Sequence, residues 1–303
     1  MGSMPRRTAG LPAPTPRISR RTLLAAMVAA ARPASARTEN PLFALCMDTH
    51  DEKKRDLAAQ ARMLKELGYA GAGHLWFDQV AERLATLDRE GLTLFQIYMR
   101  VDLGPRAKEP FDPRLGQVLP LLAGRETQLA ALVTGGSPSD QALDERAVEV
   151  LGQIADLAQP YGVRLALYPH RKNWLERVED ALRVVQKARR ANMGAMFNLC
   201  HWLAVEDEAG LVPLVRAARP HLLAVSINGA DRGAEIRAGA GNWIQPLGRG
   251  TFDMLGFLRE LEQIGYRGPV GLQCYGLPGD AAVHLRESMT AWRALQQRLR
   301  KDS

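Results

Sequence analysis

The chain has 303 residues, of which 46% are hydrophobic and 24% charged, an ordinary balance for one large globular domain or two small ones. Its formal charge of +7 is misplaced, because residues 1–36 carry six arginines and no acid, leaving 34 basic against 33 acidic residues beyond them. A net +1 over the body of the chain removes the electrostatic case for a nucleic-acid or membrane-surface partner.

The first segment reads as an address. Arg20-Arg21 precedes a short apolar run, Leu23 to Ala31, and Ala34-Ser35-Ala36 supplies an A-x-A cleavage site. The run is far below the ~20 residues that span a bilayer. Residues 1–36 are expected to be a cleavable twin-arginine (Tat-type) export signal, and residues 37–303 a mature periplasmic or secreted protein with no stable membrane insertion. The three cysteines, Cys46, Cys200 and Cys274, are too few for a disulfide framework and are expected to be small buried side chains.

From Pro41 onward a short apolar run, a turn and a helical stretch repeat. Strands are expected over 42–47, 69–73, 92–99, 127–133, 163–168, 194–199, 222–227 and 269–274. Between them, 53–67 has Leu57, Ala61, Leu64 and Leu67 at helical spacing, with Gly68 placed as a C-terminal cap. Helices are also expected over 140–158, 173–190, 251–264 and 280–299. Eight such units predict an α/β fold, a single-domain (β/α)8 TIM barrel. An open doubly wound sheet is the rival, but CMDTHDEKK after the first strand lacks the glycine-rich turn it needs. Small residues Ala72, Ala130, Ala166 and Gly271 are expected to point into the barrel.

Barrel chemistry sits at the C-terminal ends of the strands. There the sequence places Asp48 and His50; His74 and Trp76; Tyr98, Arg100 and Asp102; Tyr168 and His170; Asn198, His201 and Trp202; Ser226 and Asn228; and Gln273. Trp174 follows closely after strand 5. Tryptophans at a barrel mouth suit the apolar faces of sugar rings, and equally suit loop packing.

The segments GVRLALYPH (162–170), NMGAMFNLCHW (192–202), HLLAVSINGAD (221–231), PLGRGTFD (246–253) and GYRGPVGLQCYG (265–276) resemble the xylose-isomerase-like TIM barrel superfamily of sugar phosphate isomerases and epimerases. The resemblance implies a divalent metal at the mouth, held by a strand 5 Glu, a strand 6 Asp, a strand 7 His and a strand 8 Glu. Position by position those ligands fall on Tyr168, Asn198, Ser226 and Gln273. The swaps delete every carboxylate, so no metal is expected at the inherited site. A relocated Mn²⁺ or Mg²⁺ site, built from His170, His201 or His74 with Asp48 or Asp102, stays open.

Without the metal, histidines still do acid–base work. His170, His201 and Tyr168 are the catalytic candidates for proton transfer next to a sugar carbonyl, giving isomerisation, epimerisation or elimination. Asn198, Gln273, Asn228, Arg100, Trp174, Trp202, His74 and Asp48 are the substrate-binding candidates for a small carbohydrate. Two further classes stand beside this one: a non-catalytic carbohydrate-binding barrel, and phosphodiester cleavage, which needs a multi-zinc cluster of several His, Asp and Glu ligands and gets no phosphate-attracting surface from a net +1. Nothing in the sequence fixes an oligomeric state.

Overall fold

The structure is a computed structural model in which residues 1–2 and 40–301 are described. The expected export signal lies outside the described residues apart from its first two. From Leu42 onward the strands are β1 (Leu42–Leu45), β2 (Gly71–Leu75), β3 (Thr93–Asp102), β4 (Gln128–Thr134), β5 (Arg164–Leu167), β6 (Met193–Asn198), β7 (Leu222–Ile227) and β8 (Val270–Gln273). All pair in parallel in sequence order, and β8 closes on β1, with Leu45 opposite Gln273. The expected (β/α)8 barrel is what forms.

Its helices are α1 (Leu57–Leu67), α2 (Val80–Arg89), α3 (Leu115–Leu122), α4 (Asp144–Ala158), α5 (Val178–Ala188), α6 (Leu199–Val205), α7 (Leu211–Ala218), α8 (Gly233–Arg237), α9 (Met254–Gln263) and α10 (Ala281–Lys301). Asp56 caps α1 by accepting from Ala59 N at 2.7 Å, and Gly68 ends it at φ +87° as its position predicts. Among the described residues no helix is long and apolar enough to cross a membrane.

Alternation along each strand sorts side chains into two cores. Leu129, Ala131, Leu165, Leu167, Val225 and Leu272 face the helices. Phe43, Leu45, Phe95, Tyr98, Ala130, Ala166, Tyr168, Met196 and Ala224 fill the barrel. Ring size explains the small partners. Phe43 stacks on Phe95 at 5.0 Å, and a Cβ on Gly271 would lie 2.8 Å from the Phe43 ring.

Three expectations need correction here. Ala72 faces the helices, because β2 turns Gly73 and Leu75 inward; the pairing with β3 shifts register between Ala72 and Gly73. The same parity turns His74 away from the mouth. The helix expected from 173 begins at Val178, since residues 168–177 form a loop that buries Trp174.

Candidate active site

Five of the expected residues meet at the C-terminal end of the barrel, supported by β5, β6 and β8. Tyr168 follows β5 and is buried; Gln273 ends β8 and donates from Nε2 to the Tyr168 hydroxyl at 3.2 Å. The His170 ring lies 3.8 Å from the His201 ring, centroid to centroid. Edge-to-face contacts run from Tyr98 to Tyr168 (5.5 Å), from Tyr168 to His201 (6.0 Å) and from His201 to Trp243 (5.6 Å). These rings climb from the barrel interior to the rim as one aromatic wall.

The hydrogen bonds fix which atom faces where. A backbone N–H can only donate, so Gln273 must offer Oε1 to Tyr275 N, 3.1 Å away, and turn its amide nitrogen to Tyr168. Burial pushes the Cys200 thiol up to about 12, so it stays protonated and donates to Asn198 Oδ1 at 3.2 Å. Asn198 Nδ2 is therefore left over, buried and without a hydrogen-bond partner among the described residues. It sits close enough to restrain the rise of the Tyr168 phenol, without forming a well-aligned bond. Ser226 stands opposite Asn198 on β7, and its hydroxyl is likewise buried and unpartnered.

Charge is absent from this floor. Burial first, then the neighbouring Cys200 and Cys46 thiols, hold Tyr168 well above a phenol's usual 10, so it remains an O–H donor. Burial also lowers His170, an effect partly opposed by its bond to the Arg171 carbonyl. It lowers His201 well below its ordinary value, with the nearby His170 and Arg171 adding to the effect. Both imidazoles are neutral near pH 7. In His170 the tautomer is set: Nδ1–H donates to the Arg171 carbonyl at 2.8 Å, which leaves the Nε2 lone pair free.

Asn228 belongs to the support of the site. Its Nδ2 donates to Gly229 O (2.7 Å) and Trp243 O (2.8 Å), tying down the loop that carries Trp243. Gly250, in the same connection to α9, has φ +87°, and a Cβ there would lie 2.0 Å from the Ala230 carbonyl. Arg100 is exposed on β3, with its guanidinium stacked 3.9 Å over Trp76. Asp48 is exposed after β1 and makes no hydrogen bond or ion pair with a described residue.

Three expected residues stand elsewhere. His74 packs between β2 and the helices, where Nε2–H donates to Asp78 O at 2.6 Å and Nδ1 accepts from Arg83 at 3.4 Å. Trp174 is fully buried and donates to the Asp140 carbonyl at 2.7 Å. Trp202 packs against Phe197 in the outer core, because β6 ends at Asn198 and α6 begins at once. That early helix start also places Cys200 and His201 on a helical turn, not on a strand. Of the three cysteines expected to be buried, Cys200 and Cys274 are, with Cys274 facing the helices, while Cys46 is only half-buried beside the interior cluster; all three are free.

Trp243 and Arg171 are the residues that strand-end reasoning misses. The guanidinium of Arg171 lies 5.9 Å from the Trp243 ring, on loops after β5 and β7. A lone tryptophan in the Gly- and Arg-rich stretch 228–250 was the available signal.

Residues 114–301 match the model of the xylose isomerase-like TIM barrel family. The chain belongs to this family. Among solved structures it is similar to 3-keto-D-glucoside 4-epimerase from E. coli, at TM-score 0.67 and 16% identity over 84% of this chain and 100% of that one. It is similar to D-psicose 3-epimerase from Clostridium cellulolyticum H10, at TM-score 0.63 and 16% identity over 86% and 99%. A third, at TM-score 0.62 and 17% identity over 86% and 97%, is a xylose isomerase-like TIM barrel protein from Mycobacterium smegmatis in complex with magnesium. At these identities the likeness is one of fold. No curated protein matches the chain.

The family implies a divalent metal, and the donors present do not fit one. Tyr168 is a neutral phenol, and the oxygens of Asn198 and Gln273 are taken by Cys200 and Tyr275. Their hydrogen-bearing nitrogens are the atoms left at the site, and N–H groups repel a cation. Among the described residues no group of three or more His, Cys, Asp and Glu side chains is disposed to hold a metal ion, which gives the relocated site no support.

Proposed function

We propose that the chain is a carbohydrate isomerase or epimerase that moves a proton on the carbon next to a carbonyl, using its own side chains where other members use an ion. The observation that carries this reading is the His170 tautomer. Its Nε2 lone pair is uncommitted, and its ring lies 3.8 Å from the His201 ring and 6.2 Å from the Tyr168 ring, centroid to centroid. His170 Nε2 takes the C–H proton, the C–H electron pair becomes the new C=C bond, and the carbonyl oxygen takes up negative charge. The Tyr168 O–H donates to that oxygen as charge develops. The neutral His201 takes the abstracted proton from the His170 imidazolium across the imidazole pair and delivers it to carbon or oxygen as the C=C electron pair collapses, which leaves both rings neutral again. Trp243 covers one face of the sugar, and Arg100 and Arg171 bind outlying hydroxyl or carboxylate oxygens.

The expected export signal directs this reading to free, oxidised or glycosidic sugars outside the cytoplasm, in preference to sugar phosphates. The test is deuterium uptake from D₂O, followed by NMR, into ketohexoses and a 3-keto glucoside incubated with the full chain. Exchange next to the carbonyl that vanishes in His170→Gln supports the proposal. Binding of the same sugars without exchange assigns the barrel to carbohydrate capture instead.

A further inference from the structure

Four buried polar atoms near the mouth have no hydrogen-bond partner among the described residues: Asn198 Nδ2, His201 Nδ1, Ser226 Oγ and Asn228 Oδ1. Native interiors leave few such groups, and a cluster of them points to a ligand that completes the set. Asn198 and Ser226 are 1% and 0% exposed, so bulk water does not satisfy them. The Tyr168 hydroxyl adds to the cluster, since it accepts from Gln273 while its own proton finds no acceptor among the described residues.

The sign of these groups is what matters. Asn198 Nδ2 must donate, because its Oδ1 is taken by the Cys200 thiol. Ser226 lies directly across the β6–β7 pairing from Asn198, and Gly271 stands beside Ser226 with no side chain to cover it. Gln273 feeds a hydrogen bond into the Tyr168 oxygen, which polarises the phenol O–H outward. The four positions that the family resemblance assigns to cation ligands, 168, 198, 226 and 273, thus present hydrogens.

We propose that the barrel floor is an oxyanion cradle in which Tyr168, Asn198 and Ser226 donate to the carbonyl oxygen of a ketose and hold its enediolate form. The polarity of the site is inverted: it attracts the substrate's oxygen directly, with no ion between. Donors fixed by the fold need no reorganisation as charge develops, which is where such an arrangement acts most strongly. The inference takes from the proposed reaction only the choice of ligand.

Oxalate, a planar dianion with the oxygen pattern of an enediolate, is the probe. Calorimetric titration of the full chain in chelator-containing buffer is expected to show one oxalate site. Asn198→Asp keeps the shape and replaces donor hydrogens with a charged oxygen; it is expected to weaken oxalate at least tenfold and to gain Mn²⁺ binding. Tyr168→Phe keeps the ring packing and guards against misfolding of the first variant; it is also expected to weaken oxalate at least tenfold, with a cooperative thermal transition retained at a modestly lower temperature because Gln273 Nε2 loses its acceptor. Absence of oxalate binding, or binding that neither variant weakens, overturns the cradle. So does stoichiometric Mn²⁺ binding by the unaltered chain that competes with oxalate. Oxalate binding with the expected variant losses, but no proton exchange into sugars, would remove the proposed reaction and leave the cradle standing.

Discussion

Single atoms decide the chemistry at this site. The Ser226 hydroxyl is fully buried and has no hydrogen-bond partner among the described residues, and an orphaned buried polar group costs about 1–3 kcal/mol. Ser226→Ala removes that cost without opening a large cavity, so it is expected to raise stability by about 1 kcal/mol in chemical denaturation while weakening sugar binding. A melting temperature that falls would show that the hydroxyl has an internal partner. Tyr168→Phe tests the opposite case, a donor in use. Loss of one oxyanion donor lowers turnover by about 10²–10³, and a rate within threefold of the unaltered chain would contradict the role. His170 must be neutral to act as a base, and burial lowers its pKa. Turnover is therefore expected to climb with pH on a limb lying below the ordinary histidine value of 6.5. A limb centred above that value would assign the proton to another group.

At the scale of elements, the connection from β7 to α9 controls the site's outer wall. Asn228 bonds the Trp243 carbonyl, an isolated antiparallel bridge joins Gly229 to Gln245, and Gly250 fits against Ala230 where no side chain is accommodated. Gly250→Ala is expected to destabilise by at least about 2 kcal/mol in denaturant titration, since it adds both a positive-φ penalty and a backbone clash. An effect below 0.5 kcal/mol would mean that the loop rearranges freely and that Trp243 is not held in place. On the far side of the sheet, Arg83 is buried and bonded to Gln60 and His74, with one guanidinium nitrogen unpartnered and no ion pair among the described residues. Position 60 already touches that guanidinium. Gln60→Glu places a charge there, and the melting temperature is expected to rise, the new ion pair outweighing the lost bond from Gln60 to the Arg55 carbonyl.

Across the whole molecule, burial lowers the pKa of His74, His170, His201 and His284. The unfolded chain then binds more protons than the native one below 6.5, the ordinary histidine value. Stability from these groups is complete above that pH and is lost as pH falls through the depressed native values. The paired carboxylates Asp51, Asp88 and Asp144, lowered from 3.8, add a second loss at more acid pH. Denaturation midpoints are expected to decline between pH 6.5 and 5, and a flat profile there would contradict neutral buried histidines. The barrel was legible in the sequence because eight apolar runs alternate with helical spacing, and parallel strands buried on both faces read as continuous apolar stretches. The meeting of Tyr168, His170, Asn198, His201 and Gln273 was legible for the same reason, as each ends or follows a strand. Parity misled at His74, where Gly73 and Leu75 take the inner face. Apolar pattern gave no sign that β6 stops at Asn198, which buries Trp202 in the outer core. Trp243 reaches the mouth through a long loop whose path depends on tertiary bonds from Asn228. The most direct test of metal-free proton transfer is deuterium exchange into a ketohexose before and after exhaustive chelation of the full chain. Exchange that persists at an unchanged rate after chelation and is absent in His170→Gln is the expected result; exchange that stops on chelation and returns with Mn²⁺ or Zn²⁺ would contradict it.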